Sequence, residues 1–317
     1  MGFKGRLVIL AILSTALIGA FVFVNVGSNW DYVLPRRGVA VYAMILTGTA
    51  IAFSTLIFQT ITNNRILTPS ILGLDSLYML IQTFIIFVFG SMSTLMSSNI
   101  NFLLSVGLML IFSALLYRLF FKKNQQNIYL LLLLGIIFGT LFSSLSGYME
   151  MLIDPNEFQI VQDRSFASFN NVKTDLIYLS TILIVLCAVY VSRFAKYLNV
   201  LSLGREHAIN LGVNYDYVVK RLLIVVVILI SVATALVGPI TFLGLLVVNV
   251  AYSFINTYRH GYLIIGSILI SIVALVGGQL VVERVLGFSV PISVVINLVG
   301  GTYFIYLLLK ESKKWSQ

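Results

Sequence analysis

The chain has 317 residues, of which 59% are hydrophobic and 10% charged, with a mean hydropathy of +1.03. So little polar surface cannot cover a water-soluble globule of this size, which excludes a soluble domain and leaves an integral membrane protein. The formal net charge of +9 comes from 20 Lys and Arg against 11 Asp and Glu, and the loops account for it without nucleic acid.

Backbone polar groups in lipid are satisfied only in helices or closed barrels, and the apolar runs here are continuous rather than alternating, which selects helices. The expectation is an all-α polytopic protein, a single transmembrane domain over 1–317 with about ten spans. The first, 7–26, follows Lys4 and Arg6 and ends in Asn25-Val26-Gly27. No small-x-small cleavage site follows it, so it reads as a retained helix rather than a secretory signal. The next spans are 38–61, 70–89, 102–121, 128–149 and 176–194. Segments 222–237 and 240–255 form one apolar stretch broken only by Gly238-Pro239. A proline removes a backbone donor and clashes with the preceding turn, so the chain either reverses there or continues as one kinked helix. Segments 262–282 and 290–309 complete the set.

With ten spans, fifteen of the twenty basic residues fall on the side shared by both termini, and Arg36, Arg37, Arg164, Lys173 and Arg284 fall on the other. Basic residues concentrate on the cytoplasmic side of membrane proteins, so both termini are expected to be cytoplasmic. On that same side, the chain between 195 and 221 turns polar, reading AKYLNVLSLGREHAINLGVNYDYVVKR. Leu203-Gly204, Ala208 and Leu211-Gly212 frame a short helix between two glycines, with Arg205, Glu206, His207 and Asn210 available to water. It has the form of a docking handle for a soluble partner.

Catalytic chemistry is missing. No glycine-rich loop ends in Gly-Lys-Ser/Thr, so the chain has no P-loop with which to hydrolyse a nucleotide. His207 and His260 read as solvated loop residues, and Cys187, the only cysteine, sits mid-span, so neither a disulfide nor a cysteine-based metal cluster can form within the chain. No metal site is expected. Ion-driven carriers usually keep charged groups deep in the membrane; Asp75 is the closest candidate here, either a helix-start residue in water near one end of the third span or a buried carboxylate, and Glu283-Arg284 lies at the outer end of the ninth. The polar residues inside spans are uncharged: Thr47, Thr49, Ser54, Thr55, Gln59 and Thr60 in the second, Thr140, Ser143, Ser144 and Ser146 in the fifth. They serve either as interhelical hydrogen bonds beside Gly48, Gly135, Gly139 and Gly147 or as the lining of a weakly interacting route. An ion-coupled secondary transporter and a membrane-embedded enzyme are the competing classes. The enzyme is disfavoured because no paired carboxylates, metal ligands or activated nucleophile occur in the spans.

Several collinear stretches resemble the permease subunits of iron-siderophore and cobalamin ABC importers. Leu34-Pro35-Arg36, then Gln59, Asn63, Asn64, Leu67, Pro69 and Leu72-Gly73, are similar to that family's Leu-Pro-Arg and Gln-x-x-x-x-Asn-Pro-Leu-x-x-Pro-x-x-Leu-Gly run. Leu203-Gly204 to Leu211-Gly212 resembles its coupling-helix segment, Gly238 to Leu245 its Gly-x-Ile-x-Phe-Val-Gly-Leu, and Gly300-Gly301-Thr302-Tyr303-Phe304 its closing Gly-x-Pro-x-Phe. The usual Pro-His and Arg after Leu245 are replaced by Val248-Asn249 and Tyr252, and Arg65 stands near the expected Asn-Pro. With the run from Phe166 to Asn171, these departures look more like a siderophore subgroup of Gram-positive bacteria that handles catecholate-type chelates than like the cobalamin branch.

The resemblance implies a multi-pass permease of the bacterial plasma membrane, working by alternating access with a second homologous or identical permease subunit. It further implies two cytoplasmic ATPase subunits that carry the ATP and Mg, an extracellular or lipid-anchored siderophore-binding protein, and no cofactor in this chain. By motif, Leu203, Gly204, Arg205, Glu206, Ala208, Leu211 and Gly212 would couple to the ATPases, and Arg36 and Arg284, with Arg37 beside them, would receive the binding protein. Thr55, Gln59, Ser143 and Ser144 are the pathway candidates, and Gln126 and Asn127 lie where the family places a cytoplasmic constriction.

Overall fold

The computed structural model describes residues 2–24, 29–121, 128–170 and 172–315. Thirteen α-helices follow in order: α1 (Phe3–Phe23), α2 (Trp30–Thr62), α3 (Leu74–Phe89), α4 (Ser98–Phe121), α5 (Ile128–Glu150), α6 (Pro155–Ser165), α7 (Thr174–Ser192), α8 (Ala195–Leu201), α9 (Arg205–Asn210), α10 (Tyr215–Val237), α11 (Leu243–Ile255), α12 (His260–Arg284) and α13 (Ile292–Trp315). Eight are long and apolar enough to cross a membrane, and two shorter apolar ones, α3 and α11, complete the ten segments expected from hydropathy. No strand occurs among the described residues.

The centre belongs to α2 and α10, whose most apolar windows are 83% and 72% buried, against 17% for α1 and 22% for α13. Close approach is achieved with small residues, because lipid offers no hydrophobic drive between helices. A Cβ on Gly48 of α2 would sit 2.7 Å from Ser271 Oγ of α12, and one on Gly300 of α13 would sit 2.6 Å from Phe242 Cβ. The turn before α3, which includes a 3-10 segment at Pro69–Leu72, meets α5 backbone to backbone: a Cβ on Gly135 would lie 2.6 Å from Ile71 O and 2.8 Å from Leu72 Cα. Gly73 takes a left-handed φ of +77° there, which a side chain disfavours. A reciprocal amide pair then ties α3 to α4, each of Gln82 and Asn101 donating to the other at 3.1 Å, both buried.

The break at Gly238-Pro239 is a reversal. Tyr215 at the start of α10 donates to Ile61 O, and Asn249 of α11 donates to Arg65 O, so both arms return to the same end of α2. At 16 and 13 residues, α3 and α11 are about 24 and 20 Å long, short of a hydrocarbon core of about 30 Å. The segment after α6 packs over the reversal: Ser168 N–H donates to Val237 O at 2.9 Å, and Phe169 is buried.

Several sequence expectations need correction. The second span begins at Trp30 rather than Gly38, so Leu34-Pro35-Arg36 lies on the helix, and the seventh begins at Tyr215 rather than Leu222. His260 is the first residue of α12 and only 3% exposed. Its flanking Arg259 and Gly261 gave it the look of a loop, but a partner from α8 draws it inside. Asp75 does begin a helix, yet its Oδ2 is enclosed by protein rather than solvated. The helix α6 was not anticipated, although Asp154 caps it by accepting from Asn156 N–H, with Pro155 and Glu157 in its first turn.

Candidate functional site

The end of the molecule that carries α8 and α9 presents the expected handle. Gly204 and Gly212 flank α9, and Ala208 is fully buried, anchoring that helix from beneath. Leu203, Ile209 and Leu211 are 54%, 48% and 62% exposed, beside the exposed Arg205, Glu206 and His207. Apolar side chains left in the open among charges, on and beside a helix too short to span lipid, form a surface suited to a protein partner. Ile209 was not singled out from sequence, because its neighbours in the run are polar.

A hydrogen-bonded link joins this segment to the spanning core. Asn199 Oδ1 of α8 accepts from His260 N–H at 3.0 Å and lies 2.9 Å from His260 Nδ1, while His260 Nε2 lies 2.9 Å from Thr60 Oγ1 of α2. Since Oδ1 can only accept, Nδ1 carries a proton. Asn199 thus caps α12 from another element, and the chain of bonds runs from α8 through α12 to α2.

Beside it opens a cavity of about 460 Å3 lined by Gln59, Thr60, Asn63, Arg65, Tyr252 and His260, among others. Two of the positions at which the sequence departs from the related pattern, Arg65 and Tyr252, line it, and a third, Asn249, bonds to Arg65. Arg65 lies over the Tyr252 ring at 4.5 Å, and its carbonyl accepts from Asn249 Nδ2 at 2.8 Å and Gln59 Nε2 at 2.7 Å. A cation–π contact and two amide bonds thus fix the end of α2.

At the opposite end, Arg36, Arg37 and Arg284 converge on one depression of about 420 Å3, together with Tyr32 and Glu283. Their local partners differ. Arg37 donates to the carbonyls of Phe21, Val22 and Val24 at 2.8–3.1 Å, and Arg284 donates to Val24 O at 2.7 Å, so both close the C-terminus of α1. The exposed Arg36 bonds Tyr32 Oη at 3.3 Å.

The four pathway candidates among the described residues do not come together. Thr55 and Gln59 lie inside the protomer on α2, whereas Ser143 and Ser144 lie on the exposed face of α5, with Ser143 Oγ 3.1 Å from Ser76 Oγ. Gln126 and Asn127 lie outside the described residues. The motif stretches 238–245 and 300–304 do meet: the rings of Phe242 and Phe304 are 6.1 Å apart, and the Gly244 notch faces Thr55.

Comparison with known proteins places this geometry. The sequence profile described as the FecCD transport family matches residues 7–310. The petrobactin import system permease protein YclO of Bacillus subtilis (strain 168) is 65% identical over 311 residues, 98% of each chain. The petrobactin import system permease protein FatC of Bacillus anthracis is 38% identical over 280 residues, 88% of this chain and 79% of that one. A solved structure described as an inward-facing metal-chelate type ABC transporter superposes with a TM-score of 0.83 at 20% identity, covering 98% of this chain and 100% of that one. At that identity it speaks to the fold alone.

Proposed function

The chain belongs to the FecCD transport family, and on that premise we propose that it is the permease subunit of an ATP-driven importer of ferric siderophores of the petrobactin kind. The observation that carries the reading is 65% identity over nearly the whole of a petrobactin permease. The chain is a multi-pass protein of the bacterial plasma membrane. In the proposed complex, the α9 end is cytoplasmic and the arginine depression faces outward, in keeping with the bias of basic residues. A catecholate-type chelate is the proposed cargo.

The work is mechanical. ATP binding closes two partner ATPases, which hold Mg and nucleotide; their surface seats Leu203, Ile209 and Leu211; and the Asn199–His260–Thr60 bonds carry the displacement into α12 and α2. Two permease subunits then alternate between outward-open and inward-open states, biased by nucleotide on one side and by the loaded binding protein on the other. The reading is tested by uptake of labelled ferric siderophores in cells with and without the gene. Uptake of a catecholate chelate should be lost on deletion and restored by the gene. Unchanged uptake of every ferric chelate tried would reject it.

Two variants probe the interfaces. Arg36→Glu should weaken association with the binding protein, more at low salt than at high, because exposed charges are screened over about 8 Å at physiological ionic strength. Its melting temperature should not move, whereas Arg37→Gln should lower it by stripping donors from three carbonyls of α1. Affinity in Arg36→Glu equal to wild type at both low and high salt would remove that residue from docking.

Asn199→Ala deletes both the cap on α12 and the bond to the imidazole, a loss of about 1–2 kcal/mol. The complex should still assemble, but chelate moved per ATP should fall several-fold, with recovery in Asn199→Asp, which keeps the acceptor oxygen. Full coupling in Asn199→Ala, measured as the ratio of uptake to hydrolysis, would exclude this link.

A further inference from the structure

Asp75 is an acidic side chain, with one oxygen enclosed by protein, to which the transport reading gives no role. It stands in the first turn of α3, where that short helix, α2, the end of α10 and the reversal at 238–242 meet. A cavity of about 10 Å3 lies there, lined by oxygen-bearing side chains of Thr55, Ser70, Asp75, Thr234 and Thr241. That is room for one water-sized body. Thr234 Oγ1 donates to Asp75 Oδ1 at 3.3 Å, and the hydroxyls of Ser70 and Thr241 face the same carboxylate.

Two oxygens at this place have no partner. Asp75 Oδ2 is enclosed and makes no hydrogen bond, and the same holds for Thr55 Oγ1, in a residue only 1% exposed. No basic side chain lines the cavity. A carboxylate shut away from water with hydroxyls about it but one oxygen unpaired and no counter-charge lining the cavity is costly, and a threonine hydroxyl left unpaired at the same cavity adds to that cost. One occupant that accepts both lone pairs removes both penalties.

We propose that this cavity is a monovalent-cation site, selective for sodium, in which Asp75 and Thr55 are the principal ligands and Ser70, Thr234 and Thr241 complete an oxygen shell. The donor set decides the class. One carboxylate and several neutral oxygens suit a hard cation of single charge, whereas a divalent ion usually takes more than one carboxylate or keeps several waters. The unwound reversal after α10 contributes to the setting, because Thr234 and Thr241 place the site beside the C-terminal end of α10, and unwound carbonyls and helix C-termini are where transporters hold sodium. The ion is a resident pin: it ties the α10–α11 reversal to α2 and α3, and it is not carried with the cargo.

The test is thermal melting of the purified permease complex, moved into choline chloride and titrated with sodium or potassium at constant ionic strength. Sodium should raise the melting temperature saturably, by roughly 5 °C at about a hundredfold excess over its dissociation constant, and potassium should do so less. Asp75→Asn should abolish the response, and Thr55→Val, which keeps the carboxylate, should weaken sodium affinity at least about tenfold. A melting temperature indifferent to sodium in the wild-type complex, or an undiminished response in Asp75→Asn, overturns the site. Should Asp75→Asn not fold, binding of radioactive sodium to the wild-type complex decides: close to one ion per chain is expected, and none refutes it. Neither readout involves chelate or ATP, so failure here leaves the transport reading standing.

Discussion

A Gly135→Val chain is expected to be lost from the membrane, with less than about a tenth of the wild-type amount recovered in detergent. Valine places a Cβ within 2.6 Å of Ile71 O and 2.8 Å of Leu72 Cα, which are backbone atoms and cannot swing aside. The start of α3 would have to leave α5. Overpacking of this kind costs about 3 kcal/mol or more, beyond a hundredfold in the folding equilibrium. Gly147→Val is the control. It lies on the same helix with nothing within 4 Å of its added Cβ, so its yield should match wild type. Equal recovery of both variants would show that α3 and α5 do not pack as described.

The second large effect is at the face proposed to couple to the ATPases. Leu211→Asp changes a side chain that is 62% exposed, so the permease should insert and melt normally. Association with the ATPase should nevertheless weaken by about 2 kcal/mol, roughly thirtyfold, as expected for an anchor residue at an interface. Ala208→Glu acts differently. Ala208 is fully buried beneath α9, and a carboxylate forced there dislodges the helix, so uptake should be abolished even where some ATPase remains bound. If Leu211→Asp keeps wild-type affinity, measured by co-purification over a range of detergent and salt, the exposed leucines are not the contact. If Ala208→Glu transports normally, α9 does not transmit the stroke.

Much of this architecture was legible in the chain because membrane spans announce themselves by length and continuity. The ten apolar segments, the helix at 205–210 between two glycines and the alternative of a reversal at Gly238-Pro239 all follow from hydropathy, turn chemistry and proline sterics. Depth was not legible. Within a uniformly apolar segment nothing marks how far a helix penetrates, so the half-length of α3 and α11 emerged only in three dimensions. Asp75, near a span end in sequence, proved to sit against α2 and α10.

Long-range partners were equally silent. His260 looks solvated between Arg259 and Gly261, and only the approach of Asn199 from α8, 61 residues away, explains its burial. Arg37 and Arg284 stood out as basic residues on the wrong side, which pointed to function. Their proximity to the open end of α1 adds a local reason for being there, the capping of its carbonyls. The serines of α5 show the opposite limit: a run of small polar residues in a span can as well face outward, towards lipid or another subunit, as inward. Arg65, Asn249 and Tyr252 each read as isolated departures from a related pattern, and a single sequence conceals that Asn249 and Tyr252 both contact Arg65.

The central claim is that free energy enters this permease from nucleotide on partner subunits. It is tested most directly by reconstituting the whole complex, loaded binding protein included, in proteoliposomes with sodium and protons equal on both sides. Uptake of labelled ferric chelate should then require ATP on the ATPase face, cease with a non-hydrolysable analogue, and be unaffected by an uncoupler while ATP is held constant. Uptake that proceeds without ATP when a proton or sodium gradient is imposed, and collapses with that gradient, would contradict the account and make the chain an ion-coupled carrier.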